Sequence, residues 1–192
     1  MDFLQAVARE DKRSRLKRGS CILRDRMLAE IVEDVILFKR GERHSVHAWC
    51  VMFNHVHAIV TMSRLLSLND WLGSVKKFSS RRINQELGRA GTLWERESFN
   101  HLVRSEANFA QACKYVEMNP VEAKLCASPG DWPFSSARES AFRDPLEHFA
   151  PPSDTPFVVP RDRGELTHII KEEGTYFVTF RLLDSVVLNR RR

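Results

Sequence analysis

Apolar and polar positions change rhythm several times along the chain. From Asp25 to Lys39, Met27, Leu28, Ile31, Val32, Val35 and Phe38 recur every three or four residues, and Gly41 marks a stop; the spacing predicts a helix with one apolar face. Two apolar stretches follow, His44–Val51 and His55–Met62, joined by a tight connection at 52–54, and they predict an antiparallel strand pair. The second is apolar on both faces apart from its histidines, so it is expected inside a sheet, covered on both sides. Ser67 to Gly88 predicts the longest helix. Ser67 and Asp70 make a capping pair at its start, and Leu68, Trp71, Leu72, Val75 and Phe78 form the expected buried stripe.

Leu93 to Arg104, with Trp94, Phe99, Leu102 and Val103, predicts another strand. Ser105 then caps a helix that turns Phe109, Ala112, Cys113 and Val116 inward. It is expected to end at Asn119-Pro120, because the residue before a proline disfavours helical conformation. Tyr115 and Asn119 lie four residues apart within it, on one face that borders the apolar stripe. Residues 150–164 contain Pro151, Pro152, Pro156 and Pro160 and read as an extended linker. Beyond it, Gly174 opens Thr175–Leu182, a run rich in β-branched and aromatic residues. A lone strand is not stable by itself, so this one must complete a sheet formed elsewhere.

Length and composition narrow the class without naming a function. The 192 residues suit one domain with a substantial core, possessing the charged and apolar fractions of an ordinary globular protein. The formal net charge is +5 and the sequence pI about 9.2, which is compatible with a nucleic-acid partner. Residues 1–20 are dominated by charge and read as a solvated helix or a basic arm. Between Lys76 and Arg89 five basic residues face one acid, Glu86, a bias that favours phosphate contact over simple solubility. Cys21, Cys50, Cys113 and Cys126 are scattered, without a Cys-x-x-Cys pair, and read as reduced thiols. No apolar run is long enough to span a membrane and the first residues do not resemble a signal peptide, so the cytoplasm is the expected location.

Candidate chemistry is concentrated at His55-Val56-His57. Side chains alternate along a strand, so the two imidazoles project from one face, about 7 Å apart along the backbone. Two such imidazoles can ligate one metal ion, and their chemistry admits zinc among others; two ordinary half-buried histidines produce the same short pattern. His44, His47 and His101 read as structural or surface histidines, Tyr176 as packing, and Trp94 as core or as a stacking surface for an unpaired base.

Several motifs in a fixed order carry a resemblance. They are Gly19…Leu23-Arg24, Trp49 to Met62 with His55-Val56-His57, Arg96…Phe99…Arg104, Tyr115 before Asn119-Pro120-Val121, and Trp132-Pro133-Phe134-Ser135-Ser136. Together, over about residues 19–137, they resemble the single-tyrosine HUH transposases, in the branch called REP-associated tyrosine transposases. Phe53 stands where that family usually has proline. Gly174 to Ser185 resembles the family's first strand, which normally begins the protein, so the chain looks circularly permuted. The resemblance implies an α+β fold, a central antiparallel β-sheet flanked by helices (HUH/ferredoxin-like nuclease fold), with the C-terminal strand completing the sheet. The implied layout is a basic N-terminal segment (1–20), the core (21–137), a Pro-rich linker (138–173), the terminal strand (174–185) and a basic tail (186–192).

The resemblance also implies a chemistry. Tyr115 is the expected nucleophile, and His55, His57 and Asn119 the expected ligands of Mg²⁺ or Mn²⁺. The expected function is a metal-dependent single-stranded DNA endonuclease and strand transferase, cleaving beside hairpin (REP-type) elements through a 5′-phosphotyrosine. Lys76, Lys77, Arg81, Arg82, Arg96 and Arg104 are the candidate contacts to single-stranded or hairpin DNA. No membrane partner is expected, and both monomer and dimer remain open. The rival readings are a hairpin DNA-binding protein that does not cleave and a hydrolase of small phosphoesters.

Overall fold

The computed structural model describes residues 20–139 and 174–183. The N-terminal segment, the linker and the basic tail expected from the sequence therefore lie almost entirely outside the described residues. The first helix, α1 (Arg26–Leu37), starts where Asp25 accepts a hydrogen bond from Met27 N at 2.9 Å. Its buried side comprises Leu28, Ala29, Ile31, Val32, Glu33 and Ile36. Met27 is exposed, and Phe38 is already extended and points outward. The chain then turns with Lys39 at φ 60° and Gly41 at φ 86°, the left-handed conformations that end helices.

The predicted strand pair keeps its expected limits. Strand β1 (His44–Val51) and strand β2 (His55–Met62) run antiparallel, with a bulge between Val46 and Ala48. Helix α2 (Leu68–Glu86) follows, capped by Ser67, whose hydroxyl accepts from Asp70 N and donates to the Asp70 carboxylate at 2.6 Å. Phe78 departs from the expected stripe: it is 55% exposed, and Ser79 and Ile83 continue the buried side in its place. Helical rotation accounts for this, since 68, 72, 75, 79 and 83 stay in line while 78 rotates out.

Only Phe99–Leu102 of the expected 93–104 strand is regular; this is β3. Trp94 makes an isolated bridge to Leu182, and the chain between is irregular. Helix α3 (Glu106–Glu122) is capped by Ser105, which accepts from Asn108 N. It does not stop at Asn119 as expected but carries Pro120 inside its last turn. Proline biases the preceding residue away from helix without forbidding it, and here Asn119 and Pro120 are both buried. Leu125 N caps the Pro120 carbonyl at 2.9 Å.

Strand β4 (Thr175–Arg181) is buried throughout and lies between β2 and β3. The described residues thus form a four-stranded antiparallel sheet of order β1-β2-β4-β3, completed by the C-terminal strand. Gly174 opens it at close quarters: a Cβ there would meet Leu102 Cδ1 and the Tyr176 hydroxyl at 3.0 Å.

The two faces of the sheet have different coverings. Register places His55, His57, Ile59 and Thr61 beside Arg181, Thr179, Phe177 and Thr175 on one face, under α3. Val56, Ala58 and Val60 share the other face with Phe180, Val178 and Tyr176. There Trp49 Nε1 donates to the buried Glu33 of α1 at 2.8 Å, and Trp94, stacked edge-on to Phe180, donates to Ser79 of α2 at 2.8 Å. Helices α1 and α2 therefore form the second layer. The 132–136 segment shields the outer edge of β1: Val51 N donates to Phe134 O, and Trp132 Nε1 to Val51 O.

Candidate active site

Both histidines of the His-x-His pair sit on the α3 face and are buried. Their Nε2 atoms approach to 3.0 Å, with the rings nearly perpendicular at 80°. On the outer side of each ring, Nδ1 meets an oxygen: Asn54 Oδ1 at 2.6 Å for His55, and Thr179 Oγ1 at 2.8 Å for His57. With the Asn54 oxygen facing it, His55 Nδ1 is the donor of this pair, the tautomer that a ligating Nε2 requires.

Helix α3 brings the other two candidates to the same place. The Tyr115 ring stands edge-on to His57, centroids 5.9 Å apart, and packs against Phe177 at 6.0 Å. One turn later, the Asn119 amide nitrogen lies 3.3 Å from His57 Nε2. Asn119 is 1% exposed, and its Oδ1 accepts no hydrogen bond. A buried amide oxygen without a donor is costly unless something else fills its lone pairs. His55, His57, Tyr115 and Asn119 thus converge within one chain.

The donor set fits a divalent cation. Two imidazole nitrogens face each other, and the amide of Asn119 borders them with an oxygen in need of a partner. Rotating that amide by half a turn exchanges its oxygen and nitrogen at almost no steric cost. Among the described residues no third His, Cys, Asp or Glu joins the two histidines, so the amide is the available third protein ligand.

The basic candidates are not gathered around Tyr115. Lys77, Arg81 and Arg82 are exposed on α2, in the layer behind the sheet, and Arg82 reaches Asp34 of α1 at 3.4 Å. Lys76 is turned inward: its ammonium donates to the carbonyls of Glu95, Arg96 and Glu97 at 2.9, 3.1 and 3.1 Å. That engagement uses all three of its hydrogens and withdraws Lys76 from the DNA-contact set. Burial lowers its pKa to about 8, against the pull of Glu95 and Glu97. Arg96 and Arg104 are exposed on either side of β3.

His44, His47, His101 and Trp94 each have contacts of their own. His44 is buried against Trp71, and burial lowers its pKa, partly offset by the Ile36 carbonyl. His47 meets Thr61 Oγ1 at 2.7 Å, and His101 is held low by burial and by Arg104. Trp94 is enclosed in the core and offers no stacking surface. The Cys50 thiol is pushed well up by burial, which suits an inert core cysteine. Two contributors went unread in the sequence. Asn54 adjoins His55 directly, whereas Thr179 is identified only once the register of β4 against β2 is known.

A family model described as Transposase IS200 like matches residues 15–119. The REP-associated tyrosine transposase of Escherichia coli (strain K12) is 25% identical over 114 residues, which cover 57% of this chain and 64% of that protein. The chain therefore spans less than two thirds of that relative. A second relative, from Haemophilus influenzae, is 21% identical over 132 residues, 60% of this chain and 75% of its own. Among solved structures, a REP-associated tyrosine transposase bound to a REP hairpin aligns with a TM-score of 0.54 at 19% identity, covering 67% of this chain and 74% of that one. That likeness is one of fold. No helix among the described residues is long and apolar enough to cross a membrane.

Proposed function

The chain belongs to the IS200-like transposase family, and from that premise we propose that it is a metal-dependent endonuclease and strand transferase acting on single-stranded DNA beside hairpin elements. The observation that carries the reading is the convergence of Tyr115 with His55, His57 and Asn119 on one face of the sheet. The hairpin as partner is suggested by the structural neighbour, which holds a REP hairpin.

In this reading His55 Nε2, His57 Nε2 and the Asn119 amide oxygen hold Mg²⁺ or Mn²⁺. Such an ion, when bound, neutralises charge on the scissile phosphate and polarises the phosphorus. Asn119 contributes an oxygen without a negative charge, which keeps the site receptive to an anionic phosphate. Tyr115 is the nucleophile. Its phenolic oxygen forms a bond to phosphorus as the bond to the 3′-oxygen breaks, and the proton lost by the phenol is balanced by one gained at the 3′-oxygen. The products are a 5′-phosphotyrosine and a free 3′-hydroxyl. The ester retains the energy of the broken bond, so a second 3′-hydroxyl can reverse the step without ATP. Phe177 packs against both His57 and Tyr115 and limits the freedom of the two rings.

Lys77, Arg81, Arg82, Arg96 and Arg104 are proposed as backbone contacts to DNA away from the reacting centre. Strand β4 (Thr175–Arg181) completes the core sheet. The test is incubation of the protein with labelled single-stranded DNA carrying a hairpin, in Mg²⁺ or Mn²⁺. A covalent adduct on a denaturing gel, absent in Tyr115→Phe, supports the transferase. Tight binding without adduct would overturn cleavage in favour of recognition alone.

A further inference from the structure

Two motifs that the proposed reaction leaves unused, Leu23-Arg24 and Trp132-Pro133-Phe134, meet at Phe53. This residue lies in the tight connection between β1 and β2, two positions before His55. Its ring packs against Trp132, with centroids 5.4 Å apart and planes tilted by 60°. The Arg24 guanidinium lies over the same ring, 4.8 Å from its centroid. Trp132 is buried, Phe53 half-buried and Arg24 exposed, so the group opens from the core to the solvent.

Backbone bonds hold this aromatic surface in place. Met52 N donates to His55 O at 2.9 Å and closes the turn. Leu23 N donates to Phe53 O at 3.2 Å, and Leu182 N to Asn54 O at 2.9 Å. Trp132 Nε1 donates to Val51 O at 3.0 Å, which fixes the ring that supports Phe53. A surface ordered in advance loses little freedom when a ligand arrives. Several other arginines are engaged in ion pairs: Arg26 with Glu30, Arg82 with Asp34 and Arg138 with Glu33. Among the described residues no carboxylate pairs with Arg24. Asp25, its neighbour in the chain, directs its carboxylate to Met27 N at the start of α1.

We propose that Arg24 and Phe53 form a binding site for one unpaired nucleotide beside the cleavage point. The base stacks on the ring–guanidinium pair, and the charge of Arg24 draws the adjoining phosphate. Aromatic rings and guanidinium planes are the surfaces on which unpaired bases stack, and such stacking tolerates any base. The location identifies the occupant. Asn54, next to Phe53, reaches His55 Nδ1 at 2.6 Å, so a strand with its phosphate at His55 and His57 has neighbouring nucleotides beside this turn. Phe53 stands where the family usually has proline, which offers no flat π face, so the site belongs to this chain's own sequence. The inference rests on the DNA-cleaving reading given above and adds a contact outside its ligands and nucleophile.

The test uses the full chain and a labelled hairpin oligonucleotide, with or without a short single-stranded thymidine flank on either side in turn. Affinity is read by fluorescence anisotropy in chelator, so the result does not depend on metal. The flank is expected to tighten wild-type binding, and Phe53→Leu to remove about 5–150-fold of that gain, the usual loss for one stacked base. Phe53→Trp keeps an aromatic face and is expected to retain the gain, a rescue that packing against Trp132 alone would not give. Arg24→Gln, at an exposed position, is expected to weaken flanked binding and to lower the slope of log K against log salt by about 0.7. The fluorescent base 2-aminopurine, moved along the flank, is expected to be quenched at one position and to recover in Phe53→Leu. Circular dichroism checks folding, and Arg24→Gln decides the matter if Phe53→Leu does not fold. No gain from either flank in wild type, or equal gains in wild type and both variants, would overturn the proposal while leaving hairpin recognition standing. A wild type that binds no hairpin at all would remove the DNA-cleaving reading and this inference with it.

Discussion

The Tyr115 ring stands edge-on to the His57 imidazole, 5.9 Å between centroids, so the candidate nucleophile and a candidate ligand meet within a single chain. The pair is held by packing as well as by proximity, since Phe177 contacts both rings. Removing the phenolic oxygen should therefore leave the arrangement intact. Tyr115→Phe is expected to lower adduct formation with hairpin DNA by at least ~10³-fold, while DNA affinity and thermal stability change little. Gel analysis of the adduct beside a binding titration checks both halves.

Lys76 connects α2 to the irregular chain before β3 through three carbonyls. Lys76→Met leaves those carbonyls without their donor and is expected to cost about 1–3 kcal/mol. The effect should depend on pH. The folded-state pKa is lowered from 10.5 to about 8, so between these values the unfolded chain binds more protons than the folded one. The contribution of this titration is full above pH 10.5 and is lost as pH falls through about 8. The stability of wild type minus that of Lys76→Met should therefore rise as pH increases from about 8 to 10.5. Urea denaturation of both proteins across that range measures the difference, in which the other titrating groups cancel.

The basic residues divide into one that is engaged internally and several that face solvent. If Arg81 contacts a phosphate, Arg81→Gln should weaken DNA binding for all sequences and reduce the slope of log K against log salt by about 1. Lys76→Met should leave that slope unchanged, because its charge is directed at carbonyls. Parallel salt titrations with a hairpin oligonucleotide separate the two outcomes.

Position 78 shows where a repeat of three and four misleads. Phe78 was expected inside, yet 55% of it is exposed and Ile83 occupies the buried line. Phe78→Ala is expected to change stability by less than about 0.5 kcal/mol, whereas Ile83→Ala should cost about 2–5 kcal/mol. Denaturant midpoints of the two variants give the comparison directly.

What the sequence made legible was what depends on neighbours in the chain. The limits of β1 and β2, the Ser67 and Ser105 caps and the shared face of Tyr115 and Asn119 all follow from local alternation or helical spacing. Contacts set by packing were not legible. Pro120 lies inside a helix that runs on to Glu122, and of Leu93–Arg104 only Phe99–Leu102 pairs regularly with β4. Trp94, a strand residue by pattern, is enclosed because Ser79 and Phe180 meet it from a helix and a distant strand. Thr179 became visible as a partner of His57 only through a register spanning 122 positions.

The central place of β4 has a consequence that separates structural necessity from a decorative edge strand. Val178 pairs with Ala58 on one side and Asn100 on the other, and it is fully buried. Proline there removes a backbone donor and forces a fixed φ in a strand bonded on both flanks, a position where proline is essentially never tolerated. The neighbouring Phe177 and Phe180 pack on opposite faces of the sheet, so a local break disturbs the His57 side and the Trp94 side together. Val178→Pro is therefore expected to cost at least about 3 kcal/mol and to abolish cooperative unfolding or soluble expression. An equivalent substitution at exposed Leu65, in the connection between β2 and α2, should cost far less. Thermal melts of the two variants decide the matter: a cooperative, near-wild-type transition in Val178→Pro would show that the sheet holds without its terminal strand.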